Sequence, residues 1–197
     1  AEENTQKVLA AFQEHKVAEA HLQGSTGYGY DDLGRDELGK IYASIFQTED
    51  AIVRTTFVNG THAIASALYG VLRPGDTLVS AIGAPYDTLQ SVIGITGHAS
   101  GSLKEYGIRY RQVDLTPDDA PDLPGIAQEV REPGVKAVLI QRSRGYATRA
   151  SLSVARIGEI CALVRQAAPQ VHILVDNCYG EFVETIEPSQ VGADLIM

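Results

Sequence analysis

Basic residues are scarce in this chain: 16 Lys and Arg stand against 25 Asp and Glu, giving a net charge of -9. Docking on nucleic acid or on an anionic membrane rests on a basic face, so both are disfavoured; a small molecule or another subunit is the expected partner. Cysteine is almost missing. Cys161 and Cys178 are the only two, with no spaced framework and no C-x-x-C pair, which excludes a disulfide-built scaffold and points to a reducing, cytoplasmic compartment. The histidines, His62 and His98 among them, show no metal-ligand spacing, and no metal is expected. Long apolar runs are lacking too. No stretch approaches membrane-spanning length, and the opening Ala-Glu-Glu-Asn-Thr-Gln-Lys has neither the basic start nor the apolar run of a signal peptide.

What is present suffices for one real core, or for one domain and part of a second: 197 residues with 44% hydrophobic content. The spacing predicts helices over 4–21 and from Leu38 through Ile41, Tyr42, Ile45 and Phe46, with Asp31 or Asp32 as the cap of the second. From there strands and helices alternate. Strands are expected at 51–54, 77–81, 108–113, 135–140 and 171–176, with helices at 60–72, about 86–95, in a short piece after the loop at 116–125, and at 153–167. Crossovers of this length imply an α/β fold, a mostly parallel sheet flanked by helices. The division expected is a helical segment over 1–47 and a sheet domain over 48–197. The last residues, Ala-Asp-Leu-Ile-Met, start another apolar strand and stop inside it, so the chain is expected to be the N-terminal part of a longer protein, incomplete at the C-terminus.

The most informative segment is Val-His-Ile-Leu-Val-Asp-Asn-Cys-Tyr-Gly at 171–180, a buried strand that runs straight into Asp176. Ligands of open parallel sheets bind beyond the carboxyl ends of the strands, so this carboxylate is expected at the mouth of a crevice, facing a cation or a donor; a capping role on the turn is the alternative. In Phe-Val-Asn-Gly-Thr-His-Ala-Ile (57–64), Gly60 and Thr61 open a helix whose free N–H groups suit a phosphate, against the plainer option of a glycine turn capped by Asn59. Tyr86 follows the strand at 77–81 and is placed either to stack on a planar ring or simply to start a helix. Gln-Arg-Ser-Arg-Gly-Tyr (141–146) offers Arg142, Ser143 and Arg144 to an anion, to solvent or to a subunit contact. Tyr28 and Tyr30 sit in a glycine-rich loop at 23–30 that approaches a ligand or neighbouring subunit, or is a flexible surface loop. Taken together, a phosphate-binding helix start, a stacking aromatic and a buried carboxylate for a ring nitrogen meet the needs of pyridoxal phosphate (PLP).

Several segments carry a family resemblance: Gly-Tyr-Gly-Tyr-Asp-Asp-Leu-Gly-Arg-Asp, Asn-Gly-Thr-His-Ala-Ile, Pro-Tyr-Asp-Thr, Gly-Ser-Leu-Lys-Glu-Tyr-Gly-Ile, Gln-Arg-Ser-Arg-Gly-Tyr and Val-Asp-Asn-Cys-Tyr-Gly-Glu-Phe. In this order, from about residue 25 to Met197, they resemble the branch of fold-type I PLP enzymes related to methionine γ-lyase and cystathionine β-lyase and labelled aluminium resistance proteins. The resemblance implies phosphate binding by Gly60 and Thr61, ring stacking by Tyr86 and pairing of Asp176 with the pyridine nitrogen. It places Cys178 where the wider group has a threonine near the ring oxygen. Tyr28 or Tyr30 would reach the phosphate of a neighbouring subunit's cofactor; Asp31 stands where that group has a basic residue, for which Arg35 or Arg144 would compensate.

The resemblance further implies a homotetramer and elimination of a β- or γ-substituent from a sulfur-containing amino acid. The family's Schiff-base lysine is expected beyond Met197; none of Lys7, Lys16, Lys40, Lys104 or Lys136 follows a strand at a suitable position, so the residues at hand are expected to be inactive alone. Two other readings stay open. One is a nucleotide-binding Rossmann-like enzyme, whose G-x-G-x-x-G turn is not found between 54 and 62; the other is a non-catalytic binding or assembly module acting through the loop at 28–36.

Overall fold

A computed structural model describes residues 1–30, 32–97 and 100–197; Asp31 and His98 lie outside the described residues. The chain forms two compact units, Ala1–Phe57 and Val58–Met197.

The first unit is helical. Helix α1 (Glu2–Glu14) is followed by a short 3-10 turn (Glu19–Leu22) and by α2 (Leu33–Phe46), whose cap is Asp32 accepting from the Arg35 amide at 3.0 Å. The helix expected over 4–21 ends early because His15 is drawn across to α2, its Nδ1 2.6 Å from Glu37 and its Nε2 2.7 Å from Ser44. Lys16 then takes a left-handed φ of 50°, which a continuing helix cannot accommodate. Residues 51–54 form no strand: Ile52 is 74% exposed, and no described residue pairs with that stretch in a ladder. A β-prone tetrapeptide becomes a strand only when a neighbour satisfies its backbone groups.

The second unit is a sheet covered on both faces. Its helices are α3 (Gly60–Val71), α4 (Asp87–Ile93), α5 (Leu123–Glu129) and α6 (Val154–Ala167); its strands are β1 (Thr77–Ser80), β2 (Arg109–Gln112), β3 (Val135–Gln141), β4 (His172–Asp176) and β5 (Leu195–Ile196). All pairings are parallel, in the order β2-β1-β3-β4-β5. Period-two alternation splits the strand residues between two cores. Leu78, Ala137, Leu139 and Leu174 pack with Ile64, Leu68, Leu89 and Ile93 of α3 and α4. Val79, Val138, Ile140, Ile173 and Val175 pack instead with Ile126 of α5 and Ile157, Ile160 and Val164 of α6. Each fully buried Leu or Ile contributes roughly 1.5–3 kcal/mol.

The chain leaves β1 for β2 on one side and returns to place β3 on the other. That reversal opens a crevice beyond the carboxyl ends of β1 and β3, where ligands of such sheets bind.

Candidate active site

The crevice is built from four segments. Asn59 accepts from the His62 amide at 2.9 Å and caps α3, while the Gly60 and Thr61 amides, among the described residues, take no intramolecular acceptor. Two unpaired N–H groups at the start of a 12-residue helix, reinforced by its dipole, suit an anion. Tyr86 follows β1. Its amide donates to Gln141 Oε1 at 3.0 Å, and its hydroxyl lies 3.0 Å from Thr61 Oγ1, which is also 3.0 Å from Thr88 Oγ1. Gln141, the last residue of β3, in turn donates from Nε2 to the Ser143 carbonyl at 3.0 Å.

Asp176 ends β4 with only 2% of its surface exposed. Burial pushes its carboxyl above the usual carboxylate range, and the Cys178 amide, donating to Oδ1 at 3.1 Å, opposes that rise. Among the described residues no Lys, Arg or His forms an ion pair with it. Burial also pushes the Cys178 thiol up to about 11, helped by the nearby Asp176 charge, and raises the Tyr86 phenol. Gly60 completes the cluster: a Cβ there would stand 3.1 Å from Cys178 Sγ, so the helix start and the end of β4 touch.

Gly60, Thr61, Tyr86, Asp176 and Cys178 therefore meet at one place. Arg144 is exposed and lines a cleft of about 440 Å3 beyond the ends of β1 and β3, which Tyr86, Gln141, Tyr146 and Arg149 also border. Tyr28 and Tyr30 belong to the first unit and are 82% and 81% exposed. Arg142 is not open to an anion as its motif allowed: it is 3% exposed and bonded to Asn177, Gly180 and Glu184. Two features escaped the sequence, the Gln141 side chain that holds Tyr86 and the carboxylates that engage Arg142. A glutamine closing an apolar strand was the visible signal for the first; the second had none.

The residues present fit PLP. A buried carboxylate without a cation suits a protonated ring nitrogen, and the free amides of Gly60 and Thr61 suit the phosphate. The parallel sheet with its reversal between β1 and β3 is that of the fold-type I PLP-dependent enzymes.

The comparisons carry this to a family. A family model described as methionine gamma-lyase matches residues 1–197, and the chain belongs to that family. It is 48% identical over 197 residues to uncharacterized protein YnbB of Bacillus subtilis, covering 100% of this chain and 47% of that one. A solved structure from Clostridium acetobutylicum, provisionally named a cystathionine beta-lyase involved in aluminium resistance, is 51% identical with a TM-score of 0.96, over 99% of this chain and 47% of that one. A carbon-sulfur lyase involved in aluminium resistance from Clostridium novyi is 51% identical with a TM-score of 0.94, over 99% and 46%. The chain spans about half the length of the relatives it matches. Among the described residues no helix is long and apolar enough to cross a membrane, and no group of three or more His, Cys, Asp or Glu could hold a metal ion.

Proposed function

We propose that this chain is the N-terminal part of a cytoplasmic, PLP-dependent carbon–sulfur lyase that eliminates a β- or γ-substituent from a sulfur-containing amino acid. Its products are a thiol, ammonia and a 2-oxo acid. The observation that carries the reading is the buried Asp176, without an ion-pair partner among the described residues, beside the free amides of Gly60 and Thr61. Bound there, PLP would supply an electron sink for breaking bonds at the substrate's α-carbon.

This chain's residues bind and orient. Gly60 and Thr61 would donate to the phosphate, Tyr86 would cover one ring face, and Asp176 would accept from the ring N–H and keep it protonated. Cys178 would serve the ring oxygen as a weak donor. The anchoring lysine lies beyond Met197 in this reading, so residues 1–197 alone are inactive. Residues 48–197 form the first part of the cofactor domain, preceded by a helical segment over 1–47. The exposed Tyr28 and Tyr30, with Arg144, favour a homo-oligomer, dimer or tetramer, in which they reach a neighbour's cofactor phosphate.

The test is the intact mass of the full-length protein before and after borohydride reduction, with an Asp176→Asn variant alongside. One PLP retained per subunit in the wild type, and much less in the variant, supports the proposal. No retained adduct in the full-length wild type would falsify it.

A further inference from the structure

We propose that Arg142 is a positioning residue for the cofactor site: it locks the loop that follows Asp176 against the end of β3, while two glutamates absorb its charge. The proposal rests on the PLP reading. Arg142 comes directly after β3, where its amide donates to the Asp176 carbonyl at 2.9 Å and its carbonyl accepts from the Leu152 amide at 2.9 Å. The guanidinium fills the space under the loop at 177–187. Nη1 donates to Asn177 Oδ1 at 2.7 Å and to the Gly180 carbonyl at 2.8 Å, Nε to the Leu152 carbonyl at 3.3 Å, and Nη2 to Glu184 Oε1 at 2.7 Å. Three of these contacts, to Asp176, Asn177 and Gly180, fix the backbone or side chains around Asp176 and Cys178.

Two further observations show that this loop is held rather than self-supporting. Tyr179 and Phe182 take left-handed φ values of 67° and 59°, conformations that persist in non-glycine residues only where the surroundings impose them. Between them, a Cβ at Gly180 would stand 2.5 Å from Arg142 Cδ, so the loop closes on the arginine at a distance only glycine permits. Glu187, fully buried, joins the lock through the Phe182 amide at 2.8 Å, Asn177 Nδ2 at 3.1 Å and Arg142 Nη1 at 3.6 Å.

The charges complete the argument. Arg142 is buried, and Glu184 and Glu187 both pair with it. Its charge is thus spent away from Asp176, whose carboxylate is left for a cation that a ligand brings. Arg142 sets where Asp176 and Cys178 stand, and its charge stays out of their chemistry.

The experiment uses the full-length protein with Arg142→Met, Arg142→Lys and Glu184→Gln. Iodoacetamide labelling of Cys178 and Cys161 is followed on their separate peptides without added cofactor, and the Kd for PLP is measured by absorbance. For Arg142→Met the expected result is Cys178 labelling faster by about tenfold with Cys161 unchanged, and PLP binding weaker by about tenfold, because local opening exposes only the loop. Arg142→Lys and Glu184→Gln move the same way by less; if Arg142→Met does not fold, they carry the test. Equal acceleration at both cysteines would mean general unfolding and overturn the proposal, as would a Cys178 rate and a Kd both within about twofold of wild type. A wild type that binds no PLP sinks the cofactor reading, and with it the role assigned here, even where the loop opens as expected.

Discussion

The amide of Tyr86 donates to the side chain of Gln141 at 3.0 Å, so the aromatic that follows β1 is aimed by the residue that ends β3. Neither residue is near the other in sequence; the sheet brings them together at its reversal. Replacing Gln141 by Met keeps the bulk and leaves the Tyr86 amide unpaired. The expected cost is about 1–3 kcal/mol of stability, read by urea unfolding, with a changed absorption spectrum for added PLP. An unchanged spectrum would show that Gln141 does not aim the ring.

Asp176→Asn should stabilise the cofactor-free protein while impairing PLP binding. Burial raises the folded-state pKa of Asp176 above its unfolded value, so the protonated form favours the fold. That stabilisation is complete below the ordinary carboxylate value of 3.8 and is lost as pH rises through the raised folded value. Above the raised folded value the wild type bears the penalty and the variant none; in acid the two converge. Thermal melts across this range check the trend, and a variant that melts lower than wild type at neutral pH contradicts it.

Gly60→Ala should couple to Cys178. The added methyl would stand 3.1 Å from Sγ, and overpacking of this kind costs roughly 1–3 kcal/mol. Cys178→Ser shortens the opposing side chain, so the double variant should recover part of the loss. A double-mutant cycle in urea measures the coupling, and strict additivity would mean that the helix start and the loop yield independently.

The two thiols should differ from ordinary cysteine in their pH response. Burial pushes both Cys161 and Cys178 up to about 11. Near pH 8 only about one thiol in a thousand is then ionised, and alkylation of the half-buried Cys178 should climb about tenfold per pH unit. Cys161, 1% exposed on α6, should label only on unfolding. Labelling of Cys178 that levels off near pH 8 would contradict the placement of its thiol.

Much of this architecture was legible because burial leaves a periodic trace. The strands at 77–80, 135–141 and 172–176 are apolar runs stopped by polar residues, and α3 begins where Asn59 and Gly60 say it should. The stretch at 51–54 misled because its composition is that of a strand, while strand formation depends on a pairing partner that no local pattern reveals. The helix expected over 4–21 stops at Glu14 for a similar reason: His15 answers to Glu37 and Ser44 on another helix. At the site, Asp176 announced itself through the strand before it. Arg142 did not, since a basic residue after a strand looks alike whether it meets solvent or a glutamate 42 positions away.

The division of the sheet into two apolar faces bears on how such a chain can change. The helix that offers its amides to an anion, α3, rests on Leu78, Leu139 and Leu174, whereas α5 and α6 rest on the alternate residues of the same strands. Substitutions among Ile126, Ile157, Ile160 and Val164 therefore act first on the face of the sheet opposite α3. Sequence drift on that face reaches the helix that offers its amides only through the sheet, whereas it meets the loop after Asp176 directly, because the Val154 amide that opens α6 donates to Glu184 at 2.8 Å.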